Sequence, residues 1–374
     1  PTQHHPQRHQ EIAGSSLPPL TSYALPSGST ALEWSDDFSV EIKTLAQEEG
    51  GYLFSLTFVP KYDMSAKRMA QNYTFLIDRT NSVEKHRYQT FKRGVSKALL
   101  SLREGDKFNI AIFDTKIARL SPTPIPYSKK SLQMAEDFLE KQSNGNFSAA
   151  SDIYRKLSEL IPTEVAESEE NSVILISDGD SPLNAEKQRK LIRTFLENSK
   201  AHFTLYTATA GQGNNLAILD FLSALCRGSM LYADTHTSFP RKLAKLVINL
   251  RYPIAKELML TLAKVDPESH LQIFPSHGRI PTLFNNQPFT IFGKSDKLSD
   301  FTLLLQGRNG NQLLTLKKKI DLSAAKTQVK SLEKEWKRCQ AHFYYDQYLE
   351  KGNISFLEKA KDLISYDKPA RHQR

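Results

Sequence analysis

Three short stretches put oxygen-bearing side chains where they could do chemistry. In Asp78-Arg79-Thr80-Asn81-Ser82, a carboxylate and two hydroxyls sit at alternate positions directly after the apolar run YTFLI (73–77). VILISDGD puts Asp178 at the end of a second apolar run, and NFSAASDIY puts Ser151 just ahead of a helical pattern. Hard divalent cations such as Mg²⁺ take oxygen ligands, and a single carboxylate with two hydroxyls leaves such an ion under-neutralised. It could then accept another carboxylate from outside. Asp, Thr and Ser also favour helix N-termini, so Asp78–Ser82 taken alone suits an ordinary cap as well as a metal site. His86, one turn into the following helix, reads as a solvent-facing residue rather than a ligand.

Other chemistries fit less well. An aspartate after a buried strand could be a phosphorylated nucleophile, as in haloacid dehalogenase-type phosphatases. That chemistry wants a second aspartate two positions on, where Thr80 stands, although Asp178-Gly179-Asp180 could mimic its acidic metal motif. No Ser/His/Asp or Cys/His arrangement suggests covalent catalysis, and no glycine-rich phosphate loop is present. The formal charge is +9. Its Lys and Arg residues are scattered over helix-like stretches such as RKLIR (189–193) and KEWKR (334–338), without interleaved aromatics or zinc-type spacing, so no nucleic-acid partner is expected. Cys226 and Cys339 are too few for a disulfide framework and read as small buried apolar residues. No apolar run reaches the roughly 18 residues of a membrane-spanning helix.

The elements that must position these residues follow from periodicity. FSVEIKTL (38–45) and YLFSLTFVP (52–60) alternate apolar and polar residues around AQEEGG, a half-buried hairpin. Buried strands YTFLI, KFNIAIFD (107–114), SVILIS (172–177), HFTLYTAT (202–209) and SMLYA (229–233) then alternate with helical patterns over 86–99, 131–142, 152–161, 185–199, 215–226 and 239–251. This order predicts an α/β, Rossmann-like doubly wound domain with its ligand site at the carboxyl ends of the strands. Short strands return over 258–320, as in a β-sandwich, and helices close the chain. A lone hairpin is marginal in water, so 38–62 is expected to join 252–325 in one discontinuous β-domain, with the α/β domain (70–251) inserted. Residues 1–37, rich in Pro, Ser, Gln and His, read as a disordered leader in which His4, His5 and His9 belong to a polar tail. Residues 326–374 read as C-terminal helices and a frayed tail.

The order strand–DxTxS–helix, then SDIY, then VILISDG resembles the von Willebrand factor A (VWA) domain and its metal-ion-dependent adhesion site, the MIDAS. That resemblance implies a Mg²⁺ or Mn²⁺ ion, with Asp78 and Asp178 as acidic ligands, directly or through water, and Thr80, Ser82 and Ser151 as hydroxyl ligands. Thr80 stands where Ser is usual and Ser151 where Thr is usual, so both keep the oxygen. Arg79 and Asn81 replace small residues, and Arg79 could obstruct or tune an approaching partner. The stretch from LRYPIAKELMLTL to SLEKEWKRCQAHFYYDQYL resembles the region after the A domain in inter-alpha-trypsin inhibitor heavy chains and their bacterial relatives. Those usually carry a VIT domain ahead of the A domain, and the residues before 38 are too few and too polar for one.

The implied function is non-enzymatic: adhesion or assembly through an ion that coordinates an Asp or Glu of a protein partner. An intracellular scaffold for a chaperone-like complex is the alternative. The resemblance and the start at Pro1 favour an extracytoplasmic site over a cytoplasmic one.

Overall fold

The computed structural model describes residues 30–64, 66–142, 153–160, 166–199, 203–275, 279–325 and 328–364. Three strands come first: β1 (Thr30–Glu33), β2 (Phe38–Ala46) and β3 (Tyr52–Pro60). An alternating region follows with β4 (Ala70–Asp78), α1 (Lys85–Leu99), β5 (Lys107–Phe113), β6 (Ile117–Arg119), β7 (Ile125–Pro126), α2 (Lys129–Lys141) and α3 (Ile153–Leu160). It continues through β8 (Glu169–Ile176), α4 (Ala185–Ser199), β9 (Thr204–Ala210), α5 (Leu216–Leu225), β10 (Met230–Ala233) and α6 (Phe239–Asn249). The last strands are β11 (Pro253–Ala263), β12 (Gln272–Phe274), β13 (Leu283–Phe284), β14 (Phe289–Ser295), β15 (Asp300–Asn309) and β16 (Gln312–Asp321). Helices α7 (Ser331–Lys351) and α8 (Ile354–Leu363) follow.

Within the alternating region the sheet order is β10-β9-β8-β4-β5-β6, with β7 also against β5. The first five run parallel, while β6 and β7 turn back antiparallel on β5. Central β4 is buried on both sides, which is why its sequence reads as a continuous apolar run. Tyr73, Phe75 and Ile77 share a core with α1 and α6, whereas Leu76 faces α3, α4 and α5. Helices α1 and α6 meet closely at Gly94, where an added Cβ would lie 2.6 Å from the Phe239 ring.

The remaining strands make two sheets, β12-β14-β3-β2 and β1-β16-β15-β11-β13. Strand β3 pairs antiparallel with β14 from Phe58↔Phe289 to Tyr52↔Ser295, so segments on either side of the alternating region share one ladder. Phe54, Leu56 and Phe58 of the first sheet pack in one core with Leu258, Leu303 and Leu316 of the second. The β2–β3 turn uses Gly50 and Gly51 at positive φ, as its AQEEGG sequence requires.

The expected leader to residue 37 is too long at its end. Thr30–Glu33 pair parallel with Gln312–Thr315 of β16, and Trp34 is buried in the β core. Edge pairing, which needs few apolar side chains, supplies this order, so composition did not signal it. Residues 1–29, with His4, His5 and His9, lie outside the described residues. Strands β4 and β11 also begin earlier than their apolar runs, at Ala70 and Pro253. Helix α7 starts at Ser331, a few residues into the stretch expected to be helical from 326, and is preceded by a short 3-10 turn, Leu322–Ala324, capped by Asp321.

Helices α7 and α8 cover the α3–α5 side of the parallel sheet. Ala341, Tyr345, Tyr348, Leu349, Leu357 and Ala360 join the same core as Phe195 and Phe221. Arg189 of α4 donates to the carbonyls of Tyr348, Leu349 and Glu350 at the end of α7, and Gly352, in the left-handed conformation, ends the helix with its own N–H donating to the Tyr348 carbonyl. Asp220 of α5 is buried and accepts from Arg338 at 2.9 Å, with His342 Nε2 at 3.4 Å. Burial alone would push its carboxyl up, but the His342 ring and the Arg338 guanidinium outweigh this and hold it well below the usual range.

A carboxyl that titrates lower in the fold than in the unfolded chain adds stability above its unfolded pKa and loses it as pH falls further. Asp220→Asn should therefore cost about 3 kcal/mol above pH ~5, the low end for a buried pair because Arg338 is half exposed. The gap from wild type should narrow as pH falls below about 4. Urea unfolding across this range checks it, and a gap independent of pH would remove the ion pair from the account.

Candidate metal centre

The candidate oxygens converge at the carboxyl end of the parallel sheet because β4 and β8 are neighbours in register. Ile77 lies opposite Ile176, so Asp78 emerges beside Ser177 and Asp178 follows one residue later. Asp78 Oδ1 accepts from the Thr80 N–H at 2.8 Å, an Asx-type turn that leads β4 towards α1. Its Oδ2 accepts from Ser177 Oγ at 2.6 Å. Thr80 Oγ1 and Ser82 Oγ are 3.3 Å apart, and Ser82 Oγ donates to Asp178 Oδ1 at 3.2 Å. The structure thus brings Asp78, Thr80, Ser82 and Asp178 into one hydrogen-bonded group. Ser151 lies outside the described residues.

Three of the four are nearly shut off from solvent, with Asp78 0 %, Thr80 3 % and Asp178 2 % exposed, while Ser82 is half-buried. Desolvation, with Asp178 close by, raises the Asp78 carboxyl to about 6 against the hydrogen bonds from Ser177 and Thr80. Desolvation also raises Asp178, opposed by the Asp180 N–H, Ser82 and Arg87. Two buried carboxylates held together lack compensating positive charge, and Arg87 Nη1, 3.8 Å from Asp178 Oδ2, supplies part of it. The donor set is entirely oxygen, with hydroxyls beside carboxylates. Among the described residues no three His, Cys, Asp or Glu gather in metal-binding range. Such a set fits a hard divalent cation that keeps some of its waters, and does not fit zinc.

Two neighbours escape sequence reasoning. Ser177 bridges Asp78 and the Gly179 N–H, donating to the first and accepting from the second at 3.0 Å. Its signal was available, as a hydroxyl at the last position of a buried strand. Arg87 carried no signal, since its role depends on α1 turning it towards Asp178 and the Gln212 carbonyl. Arg79 points away from the group to Asp114, with Nη2 at 2.9 Å, so it does not obstruct the candidate ligands. His86 is exposed and packs edge-on against His236 at 4.7 Å, outside the oxygen group.

The comparisons with known proteins agree with this fold. Residues 71–230 match the family profile of the von Willebrand factor type A domain. This chain contains a VWA domain. Domains of this kind generally mediate protein–protein interaction, often with a divalent metal. The solved von Willebrand factor type A protein from Catenulispora acidiphila has the same fold, with TM-score 0.60 and 14% identity over 91% of this chain and 88% of that one. The ArnB paralog VWA2 from Sulfolobus acidocaldarius superposes with TM-score 0.50 and 14% identity, over 87% and 88% of the two chains.

Among curated sequences, inter-alpha-trypsin inhibitor heavy chain H1 of Mesocricetus auratus is 25% identical over 178 residues, covering 46% of this chain and 19% of its own length. A von Willebrand factor A domain-containing protein of Dictyostelium discoideum is 22% identical over 274 residues, covering 70% of this chain and 31% of its own. This chain therefore spans less than a third of the length of either relative.

Within the VWA domain, Gly179 secures the loop behind Asp178. Its φ is +74°, and a Cβ there would meet Leu219 Cγ at 2.8 Å and the Asn215 carbonyl at 2.9 Å. Gly179→Ala combines left-handed strain with overpacking and should cost about 2–3 kcal/mol, read as a lowered midpoint in thermal or urea unfolding. A wild-type midpoint would show that the loop moves without cost.

Proposed function

We propose that the VWA domain binds a partner protein through a divalent cation, Mg²⁺ or Mn²⁺, in the manner of a MIDAS. Asp78, Thr80, Ser82 and Asp178, joined by Ser151 from its place in the sequence motif, act as the ligands. The single observation that carries this reading is the pair of buried carboxylates, Asp78 and Asp178, ringed by hydroxyls at the end of two adjacent strands. When bound, the cation supplies positive charge to the carboxylates and an open coordination position for an Asp or Glu of the partner.

This chain's residues do the positioning. Ser177 and the Thr80 N–H fix both oxygens of Asp78, Ser82 aligns Asp178, and Arg87 orients the far oxygen of Asp178. The reading is non-enzymatic. With Thr80 two positions after Asp78, a phosphoryl-transfer site lacks its general acid. We also propose that the VWA domain is inserted in a β-domain made of 38–62 and 252–325. Support comes from the β3–β14 ladder and the core shared by the two sheets. An extracytoplasmic location is part of the same reading, suggested by the likeness to the inhibitor heavy chains.

Removing one of two buried like charges should not harm the metal-free fold. Asp78→Asn should match or exceed wild-type stability in EDTA, since the repulsion with Asp178 is relieved. Adding Mg²⁺ at about a hundred times its Kd should stabilise wild type by roughly 2.7 kcal/mol and leave Asp78→Asn unmoved. Partner capture should vanish in EDTA and with this variant. Equal Mg²⁺ stabilisation of both proteins would defeat the site assignment.

Ser177→Ala keeps every proposed ligand but frees Asp78 Oδ2. It should weaken Mg²⁺ binding about 10- to 100-fold in calorimetric titration. Unchanged affinity would mean that Ser177 does not orient Asp78.

A further inference from the structure

A second cavity, away from the strand ends that carry Asp78 and Asp178, lies where α5, α7 and the β12–β14 edge meet. Its volume is about 160 Å³. That is close to the ~150 Å³ of an engineered apolar cavity that stays dry and takes up benzene. The walls are mostly aromatic and aliphatic: Phe221 and Ala224 of α5, Phe274 and Phe292 of the sheet, and Tyr345 of α7. The rings already interlock. Phe221 stacks on Tyr345 at 4.4 Å, and the His342 ring stands 5.5 Å from both Phe221 and Phe274.

Three charged residues of the lining, Arg279, Arg338 and Asp346, are held in ion pairs, and Arg227 donates to the Phe203 carbonyl. Arg338 binds Asp220, and Arg279 Nη2 lies 3.5 Å from Asp346 Oδ1 while its Nη1 donates to the Leu225 carbonyl at 2.5 Å. A charged ligand would have to break one of these pairs, so the cavity suits a neutral one. Among the described residues His342 Nδ1, in a side chain 9 % exposed, has no hydrogen-bond partner on the cavity wall, whereas His342 Nε2 lies 3.4 Å from Asp220 and Asp346 Oδ1 lies against Arg279. Unpaired buried polar atoms are costly.

We propose that this cavity is a binding site for a neutral, single-ring aromatic molecule bearing one hydroxyl or N–H. The ring lies among Phe221, Phe274 and Tyr345, and the polar group pairs with His342 Nδ1. Aromatic walls favour the ring by stacked and edge-on packing, and the polar pair selects against plain hydrocarbons. The site is independent of the metal centre.

Phenol is the probe, titrated into the whole chain and followed by NMR. Saturable binding at roughly millimolar Kd or tighter is expected, as is right for so few atoms, with intermolecular contacts from phenol protons to the rings of Phe221, Phe274 and Tyr345. Benzene, which lacks the hydroxyl, and cyclohexanol, whose ring is not aromatic, should bind several-fold more weakly. Ala224→Leu fills the space from the partly exposed side of α5 and should weaken phenol about tenfold or more. Absence of saturable binding, contacts elsewhere, or undiminished binding by a folded Ala224→Leu would each overturn the proposal. The wild-type contact pattern decides alone if that variant does not fold.

Discussion

Ile77 of β4 sits opposite Ile176 of β8, and the candidate centre is built outward from that pairing. Parallel strands in this register end together, so the first polar residue after each apolar run projects into the same crevice. Asp78 then lies beside Ser177, and Asp178 is reached by Ser82 from the turn that follows β4. A shift of one residue in β4 would turn Asp78 to the other face and put Ile77 at the crevice, since side chains alternate along a strand. Such a shift is opposed by burial on both sides of β4, where Phe75 and Leu76 occupy different cores.

Helix α5 carries this arrangement into the rest of the molecule. Its first turn accepts the loop behind the site: the Asn215 N–H donates to the Asp178 carbonyl, and Leu219 packs where a side chain on Gly179 would have to go. One turn further, Phe221 and Asp220 face α7, through stacking on Tyr345 and the ion pair with Arg338. The α3–α5 face of the sheet would expose large apolar side chains without α7 and α8, which complete its core. The C-terminal helices thus share a core with the α3–α5 side of the parallel sheet, beyond residue 230 where the family profile ends.

How much of this could be read from the sequence depends on what carried the signal. Strands buried on both faces advertise themselves, and YTFLI, KFNIAIFD and SVILIS mark three central strands, two of which start three residues earlier, at Ala70 and Glu169. Asp78, Thr80, Ser82 and Asp178 were legible because strand ends in an α/β sheet are where polar residues gather. Features fixed by backbone pairing were less visible. Strand β1 is four residues held at an edge, and β6 and β7 are two or three residues folded back on β5. Arg87 was invisible for a different reason. In sequence it is one cation among several on α1, and only the fold places it against Asp178.

The charge balance around that residue bears on the kind of partner the site can take. With Asp78 and Asp178 ionised and Arg87 cationic, the group carries one net negative charge. A divalent cation would bring it to one net positive charge, which a single carboxylate from outside cancels. Had Thr80 or Ser82 been acidic, the site would already be neutral and a partner carboxylate would meet no attraction. Had Arg87 been absent, the buried pair and the cation would cancel each other, with the same result. Arg79 does not disturb this balance, because Asp114 holds its guanidinium. In the proposed reading, two hydroxyls where carboxylates could stand, with one arginine alongside, would leave room at the site for a charge supplied by another protein.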